Sequence, residues 1–243
     1  MSRKTTHSLA FPCIHGSRKP LLPAICLLLL ATALRAQTPA GAPTFGDAAA
    51  ITFIKEFPGS SPAYYSITMR ELDGGKFAAE YRIEPDEEPT EMEISAASGQ
   101  RAFALAGELG WFAGPQIESG RNVAKMGVKT LRYESGARRH EAVYNHTELP
   151  AAMELNSWFE KLSATQQHID RIEYLLRFDK LGIVKELLQT EMDLNSDRLL
   201  EPALLLPALK KVLANKSLVN VAHDRSNLLI ARLSALAATT PQQ

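Results

Sequence analysis

An alternation of apolar and polar residues on both sides of Asp73 most constrains how this 243-residue chain can fold. Before it, Tyr65, Ile67 and Met69 alternate with polar side chains, and the run 76–84 repeats the pattern after it. A period of two places successive side chains on opposite faces of a strand, and Asp-Gly-Gly is a strong hairpin turn. The sequence therefore predicts a hairpin with one buried face.

Other parts of the first 146 residues carry strand or helix signals. Four further segments are short and rich in apolar, β-branched or aromatic residues, as strands are: 51–57, 91–95, 128–134 and 138–145. The last two are joined at Gly136 as a second hairpin. Helical spacing predicts a helix over 98–109, capped by Ser98 and ended by Gly110. Hairpins with segregated helices predict an α+β fold with an antiparallel sheet of about six strands and two packed helices.

From Thr147 onwards, apolar residues recur at helical spacing. Thr147 is the predicted N-cap of a helix over 147–162, which closes the α+β part, and Pro202 and Pro207 interrupt the later helices. This all-helical C-terminal region follows the sheet in the chain. The predicted division is a signal peptide over 1–36, a flexible linker over 37–47, an α+β domain over 48–165 and a helical region over 166–238.

The N-terminus has the three parts of a secretory signal peptide. Basic residues precede an apolar run over 21–34, and small residues follow that run. The run is 14 residues long, whereas a membrane-spanning helix needs about 20. We expect cleavage after Ala36, or after Ala33, and export to the periplasm or out of a bacterial cell. The alternative is an uncleaved leader that anchors the chain.

Removal of the leader changes both the cysteine content and the charge. Cys13 and Cys26 both lie in the leader, so the mature chain offers no thiol for a disulfide, a metal site or a nucleophile. The leader also carries five basic residues and no acidic one, which leaves 22 basic and 27 acidic residues. Such a mildly acidic chain lacks the basic footprint of a nucleic-acid binder, and no membrane span is expected after cleavage.

The stretch 57–64, "FPGSSPAY", has the composition of a phosphate loop or a turn. A phosphate loop needs several glycines or a lysine ahead of a helix, but this stretch has one glycine and leads into a strand. Pro58 and Pro62 remove two N–H donors, and the residues around Ser60 do not fit a Gly-x-Ser-x-Gly nucleophile elbow. The sequence favours a tight turn between two strands.

The same turn resembles one in an uncharacterised family of exported bacterial α+β domains, whose members carry Cys-x-Gly-x-Cys-Pro-x-Tyr after their first strand. Gly59, Pro62 and Tyr64 match that pattern, and Phe57 and Ser61 stand in place of the two cysteines. The resemblance covers about 51–162, ahead of the helical extension, and implies two hairpins with a helix between them and a closing helix. It implies no function, and the replaced cysteines argue against any redox or disulfide role.

No residue set has the spacing of a metal or cofactor site. The four histidines of the mature chain form no His-x-x-x-His or HExxH pattern, and we expect them at the surface or at helix caps. The run 84–91 holds five carboxylates, which a Ca²⁺ ion would accept, but its spacing is not that of an EF-hand and a solvated loop is favoured. Trp111 and Trp158 are predicted to pack in the core rather than to form a sugar platform.

The one candidate binding surface is basic. Lys129, Arg132, Arg138 and Arg139 all lie on the second hairpin, where they could bind an anionic envelope polymer or coat the solvent face of the sheet. The leading functional hypothesis is a non-catalytic periplasmic or secreted module that binds a protein partner in the cell envelope. The alternative is a hydrolase-type enzyme whose site is assembled from dispersed residues, and the sequence assigns it no catalytic residue.

Overall fold

The computed structural model describes residues 48–114, 117–125 and 127–239. They form one antiparallel sheet and the helices that pack with it or follow it in the chain. These residues belong to a single compact unit, Thr44–Gln243. The predicted leader and linker, 1–36 and 37–47, lie outside them. The strands of the sheet are β1 Ala50–Glu56, β2 Tyr64–Leu72, β3 Lys76–Arg82, β4 Thr90–Ile94, β5 Val128–Ser135 and β6 Arg138–Tyr144. The helices are α1 Ala96–Glu108, α2 Pro150–Phe178, α3 Ile183–Asn195, α4 Leu206–Ala214 and α5 Asn220–Thr239.

The predicted α+β fold is confirmed. The sheet has the strand order β4-β3-β2-β1-β5-β6, and all neighbouring strands are antiparallel. The first predicted hairpin joins β2 to β3, where Gly74 and Gly75 have φ angles of 78° and 73°. The second joins β5 to β6 at Gly136. The left-handed backbone of these turns is one that glycine adopts without steric cost.

One face of the sheet forms the main core with α1 and the first half of α2. The alternation fixes this face, because Ile67 and Met69 of β2 are fully buried whereas their neighbour Thr68 turns the other way. The α2 stripe predicted from the sequence packs on this face: Leu155, Trp158, Phe159 and Leu162. The Phe159 ring stacks on Phe53 of β1, with ring centroids 5.1 Å apart.

The opposite face of the sheet carries polar and charged side chains. Thr52 and Thr68, paired across β1 and β2, share a hydrogen bond of 3.1 Å. On β3, the Glu80 carboxylate lies 3.5 Å from Arg70 Nε and 3.3 Å from Arg82 Nη2. These cross-strand contacts satisfy polar groups on the face that the helices do not cover.

Helix α2 is longer than the sequence indicated. The predicted helix over 147–162 and the next helical segment form one continuous helix, Pro150–Phe178. Its first half packs in the sheet core up to Leu162, and from Ile172 onwards it packs in a second core with α3, α4 and α5. The predicted domain boundary at 165 therefore falls inside a helix that is shared by both cores.

The helix caps also differ from the predicted ones. Ser95, not Ser98, caps α1, and its side chain accepts a hydrogen bond from the Ser98 N–H. Leu149 precedes α2, and Thr147 Oγ1 instead accepts a hydrogen bond from the Leu149 N–H. Each cap therefore lies two or three residues from the predicted one.

Candidate functional site

The four basic residues of the second hairpin do not form one patch. Arg132 and Arg139 lie on the open face of the sheet, where each pairs with a glutamate of the opposite strand: Glu141 at 2.7 Å and Glu134 at 3.1 Å. The strand register places Lys129 and Arg138 on the helix-covered side, at opposite ends of the hairpin.

Lys129 is partly buried. Its Nζ donates a hydrogen bond of 3.0 Å to the carbonyl of Asn145. Burial and the neighbouring positive charge of Lys55 lower its pKa. An anionic ligand therefore does not meet four converging cations on this hairpin.

The stretch 57–63 is a turn, as predicted from its sequence. Ser60 Oγ lies 2.8 Å from the Phe57 carbonyl and 2.7 Å from the Pro62 carbonyl, and the Phe57 N–H donates to the Ala63 carbonyl at 2.8 Å. The Ser61–Pro62 peptide bond is cis. Because the Ser60 hydroxyl is engaged with the backbone of the turn, it is not free to act as a nucleophile.

This turn forms one wall of a cleft of about 240 Å³, and helix α2 forms the opposite wall. The helix contributes Glu160, Ser163 and Gln167, which recur at helical spacing along one face. The residues that line the cleft are Lys55, Phe57, Ser60, Ser61, Pro62, Tyr65, Glu160, Ser163 and Gln167. The predicted turn therefore also borders a cleft.

An ion pair crosses the cleft from the sheet to the helix. Lys55 Nζ of β1 lies 2.7 Å from Glu160 Oε1, and both side chains are partly accessible to solvent. Lys129 is the register partner of Lys55 on β5 and stands on the same side of the sheet. The two opposite charges of the pair cancel within the cleft.

Tyr65 lines the cleft, and the ring of Tyr81 lies behind it, with ring centroids 6.2 Å apart. Burial raises the pKa of Tyr65, and the negative charge of Glu160 raises it further. Burial likewise raises the pKa of Tyr81 to about 12. Both phenols are therefore neutral at ordinary pH and do not supply a phenolate base.

The deep end of the cleft contains buried polar groups. Ser163 is 1% exposed, and its Oγ accepts a hydrogen bond of 2.8 Å from Gln167 Nε2. The Tyr81 side chain, 2% exposed, reaches this pair, and its interaction with Ser163 and Gln167 limits the rise of its pKa. The three residues therefore form a mostly buried polar cluster.

His168 lies outside the cleft, and its environment differs from the surface or helix-cap position expected from the sequence. It is neither a surface nor a capping residue, because its ring is buried between α2 and α3, with Nδ1 2.6 Å from Glu186 and Nε2 3.2 Å from Asp193. Burial alone would lower its pKa, but the two carboxylates outweigh burial and raise the pKa. His223 does have the expected capping role, since its Nε2 lies 3.1 Å from the Asn215 carbonyl at the end of α4.

A second feature that the sequence did not reveal is an exposed apolar region, here called the tail tip. It comprises Tyr174, Phe178 and Leu181 at the α2–α3 turn and Val219 at the α4–α5 turn. Phe178 is 71% exposed and Leu181 is 87% exposed. Phe178 and Leu181 fall outside the buried apolar stripe of α2. Their apolar character at positions off this stripe is the sequence signal that could have indicated the tail tip.

Basic side chains surround the tail tip. Lys180 Nζ donates a hydrogen bond of 2.7 Å to Ser217 Oγ, which brings the two turns together. The guanidinium of Arg171 lies over the Tyr174 ring at 5.3 Å, and the Tyr174 ring contacts Phe178 with centroids 5.0 Å apart. Arg177 and other exposed cations flank the same turns. The exposed carboxylate of Asp179 lies in the same turn, so the tip joins an apolar centre to a rim in which cations outnumber carboxylates.

The acidic loop 84–91 joins β3 to β4 at the surface. Its side chains are mostly exposed, and its backbone accepts a hydrogen bond from Arg82 Nε at the Glu87 carbonyl. In the part of the chain that the structure describes, no three His, Cys, Asp or Glu side chains converge as metal ligands would. Both tryptophans pack as predicted: Trp158 lies in the core, and the ring of Trp111 lies 4.5 Å from that of Tyr133.

Comparisons with known proteins give no relative from which a role could be carried over. No protein-family model matches the chain, and no curated protein matches it. Among the described helices, none combines the length and the apolar character that a bilayer-spanning segment requires. The candidate sites are therefore supported only by the geometry of the described residues.

Proposed function

We propose that this protein is an exported, non-catalytic interaction module of the bacterial envelope, and that the tail tip is its docking surface for a protein partner. The observation that carries the proposal is the exposure of Phe178 and Leu181 on one turn. Burying a side chain of this size stabilises a complex by about 1.5–3 kcal/mol. Two such anchors close together are typical of the centre of a protein interface.

The rim indicates the chemistry of the partner. Arg177, Lys180 and Lys216 are exposed beside the apolar centre. Like charges on a partner would be repelled at such a surface, whereas carboxylates would be attracted. The proposed partner therefore presents an apolar groove with an acidic border.

Export rests on the leader, and the non-catalytic role rests on how the candidate nucleophiles are used. The basic, apolar and small-residue parts of 1–36 are those of a cleaved signal peptide. Ser60 contacts the carbonyls of its own turn and Ser163 contacts Gln167, so neither of these two serines is paired with a histidine among the described residues. This arrangement favours the interaction module over the hydrolase alternative.

The test is co-purification from the native periplasm. Affinity-tagged protein is lightly crosslinked, and its partner is compared between wild type, the double variant Phe178→Ser/Leu181→Ser and the control Met153→Ser. Met153 is also a large exposed apolar residue, but it lies in the first half of α2. N-terminal sequencing of the purified chain checks that the leader has been removed.

We expect one stoichiometric protein partner with wild type and Met153→Ser, and its loss with the double variant. The same partner retained by the double variant would move the interface elsewhere on the molecule. A monomer without a partner in all three samples would contradict the interaction module and favour a screen for hydrolase activity.

A further inference from the structure

We propose that the cleft between the 57–63 turn and α2 is a binding site for a neutral, polyhydroxylated ligand of about the size of one sugar ring. Nothing in the proposed docking role requires this site, because the cleft and the tail tip involve different residues. The inference rests on the charge balance of the cleft, on the polar side chains at its deep end and on its size.

The paired charges of the cleft disfavour the binding of a small ion. The cleft presents one ammonium and one carboxylate, from Lys55 and Glu160, already 2.7 Å apart. An anion that is attracted by Lys55 is repelled by Glu160, and a cation that is attracted by Glu160 is repelled by Lys55. A hydroxyl group, by contrast, can donate to the carboxylate and accept from the ammonium. Two neighbouring hydroxyls can therefore contact both ends of the ion pair without bringing a new charge into the cleft.

Polar side chains at the deep end can serve a ligand hydroxyl. Ser163 and Gln167 both line the cleft, and they are hydrogen-bonded to each other. The Ser163 hydroxyl and the Gln167 amide each have further donor or acceptor capacity. A ligand with several hydroxyls can serve the deep end and the ion pair together.

The apolar part of the cleft suits the carbon skeleton of such a ligand. Phe57, Pro62 and the ring of Tyr65 line it beside the polar groups. Small-molecule sites commonly combine apolar walls with a few placed polar groups that fix orientation. The volume of about 240 Å³ is below the roughly 300–1,000 Å³ of sites for larger ligands, which limits the occupant to a single ring.

The test is ligand-observed NMR on the mature protein with defined probes. Glucose, galactose and N-acetylglucosamine represent neutral polyols, and inorganic phosphate and glycine represent an anion and a zwitterion. We expect at least one sugar to bind saturably with a Kd on the order of 1 mM, and phosphate and glycine to bind more weakly.

Two substitutions test the residues, with a matched control. Glu160→Gln removes the charge but keeps the shape, and it should weaken sugar binding about tenfold through loss of a charged hydrogen-bond acceptor. Tyr81→Phe should also weaken binding, because the Tyr81 hydroxyl interacts with Ser163 and Gln167 and helps to position them in the cleft. Glu141→Gln is the control, because Glu141 is also in an ion pair of 2.7 Å but on the open face of the sheet.

Three results would overturn the assignment: no sugar binds, phosphate or glycine binds more tightly than every sugar, or sugar binding is the same in Glu160→Gln, Tyr81→Phe and wild type. Circular dichroism of each variant establishes that it is folded. If Glu160→Gln does not fold, Tyr81→Phe alone decides the question.

Discussion

Gly99 on helix α1 lies directly against the ring of Phe77 on β3. A Cβ atom at Gly99 would lie within 3 Å of three atoms of that ring, the farthest at 2.6 Å. Both residues are buried in the sheet core, so the ring has little space into which it can move. The close approach of α1 to the sheet therefore depends on the absence of a side chain at this position.

We predict that Gly99→Ala destabilises the protein by about 1–3 kcal/mol, because it overpacks a filled core. The matched control is Gly107→Ala on the same helix, where the added Cβ meets only the Trp111 ring at 3.5 Å, an ordinary contact. Alanine in an unobstructed helix position should stabilise by about 0.5–1 kcal/mol. Urea unfolding of the two variants measures both changes, and equal effects of the same sign would contradict this account of the packing.

The contact between Ser95 and Glu201 leads to a second prediction. Glu201 Oε1 accepts hydrogen bonds from the Ser95 hydroxyl at 2.6 Å and from the Ser95 N–H at 3.1 Å, and Ser95 in turn caps α1. Ser95→Ala should therefore lower the free energy of unfolding by about 1 kcal/mol, the usual cost of a lost N-cap.

The control for this cap is Ser98→Ala, at the position that the sequence had indicated. It should have less than half the effect of Ser95→Ala. A double-mutant cycle between Ser95→Ala and Glu201→Ala should give a coupling energy of about 0.5 kcal/mol or more if the two residues interact in solution. Additive effects would mean that the helical region does not support the start of α1.

A third prediction concerns pH and His168. Because Glu186 and Asp193 raise its folded-state pKa above the unfolded value of about 6.5, folding favours the protonated ring. The stability that it contributes is complete below pH 6.5 or so and is lost as the pH rises through the folded-state pKa. Arg198, 3.4 Å from Asp193, opposes this effect in part.

Urea unfolding of wild type and His168→Gln at pH 5.5 and at pH 8.5 tests this point. The difference in stability between the two proteins should be larger at the lower pH. A difference that grows with pH would show that the ring is neutral in the folded protein.

The sheet could be predicted from the sequence because its signals are local. The alternation over 65–69 and the glycines of each hairpin specify strand faces and turns within a few residues. The sequence analysis ended its helix at 162, whereas helix α2 continues through Ser163 and Thr165 to Phe178. The helix continues through them because Thr165 Oγ1 lies 3.1 Å from the Lys161 carbonyl and 2.6 Å from the Leu200 carbonyl, so that its hydroxyl is satisfied inside the packed structure.

The cleft and the buried histidine could not be predicted because they depend on contacts between distant segments. Lys55 and Glu160 are separated by 105 positions in the chain, and no pattern in either segment refers to the other. The pairing of His168 with Glu186 and Asp193 likewise depends on how α3 packs against α2. In the sequence, the spacing of these three residues does not distinguish them from charged residues on a solvent-exposed helix face.

The tail tip gives the last prediction, which separates binding from folding. Phe178 and Leu181 are mostly exposed, so Phe178→Ser/Leu181→Ser should change the free energy of unfolding by no more than about 0.5 kcal/mol per site. Leu175, one helical turn before Phe178, is buried in the helical core, and Leu175→Ala should cost about 2–5 kcal/mol. Urea unfolding measures both. If the double variant were as unstable as Leu175→Ala, the two side chains would support the fold, and loss of a partner in that variant would no longer identify a docking surface.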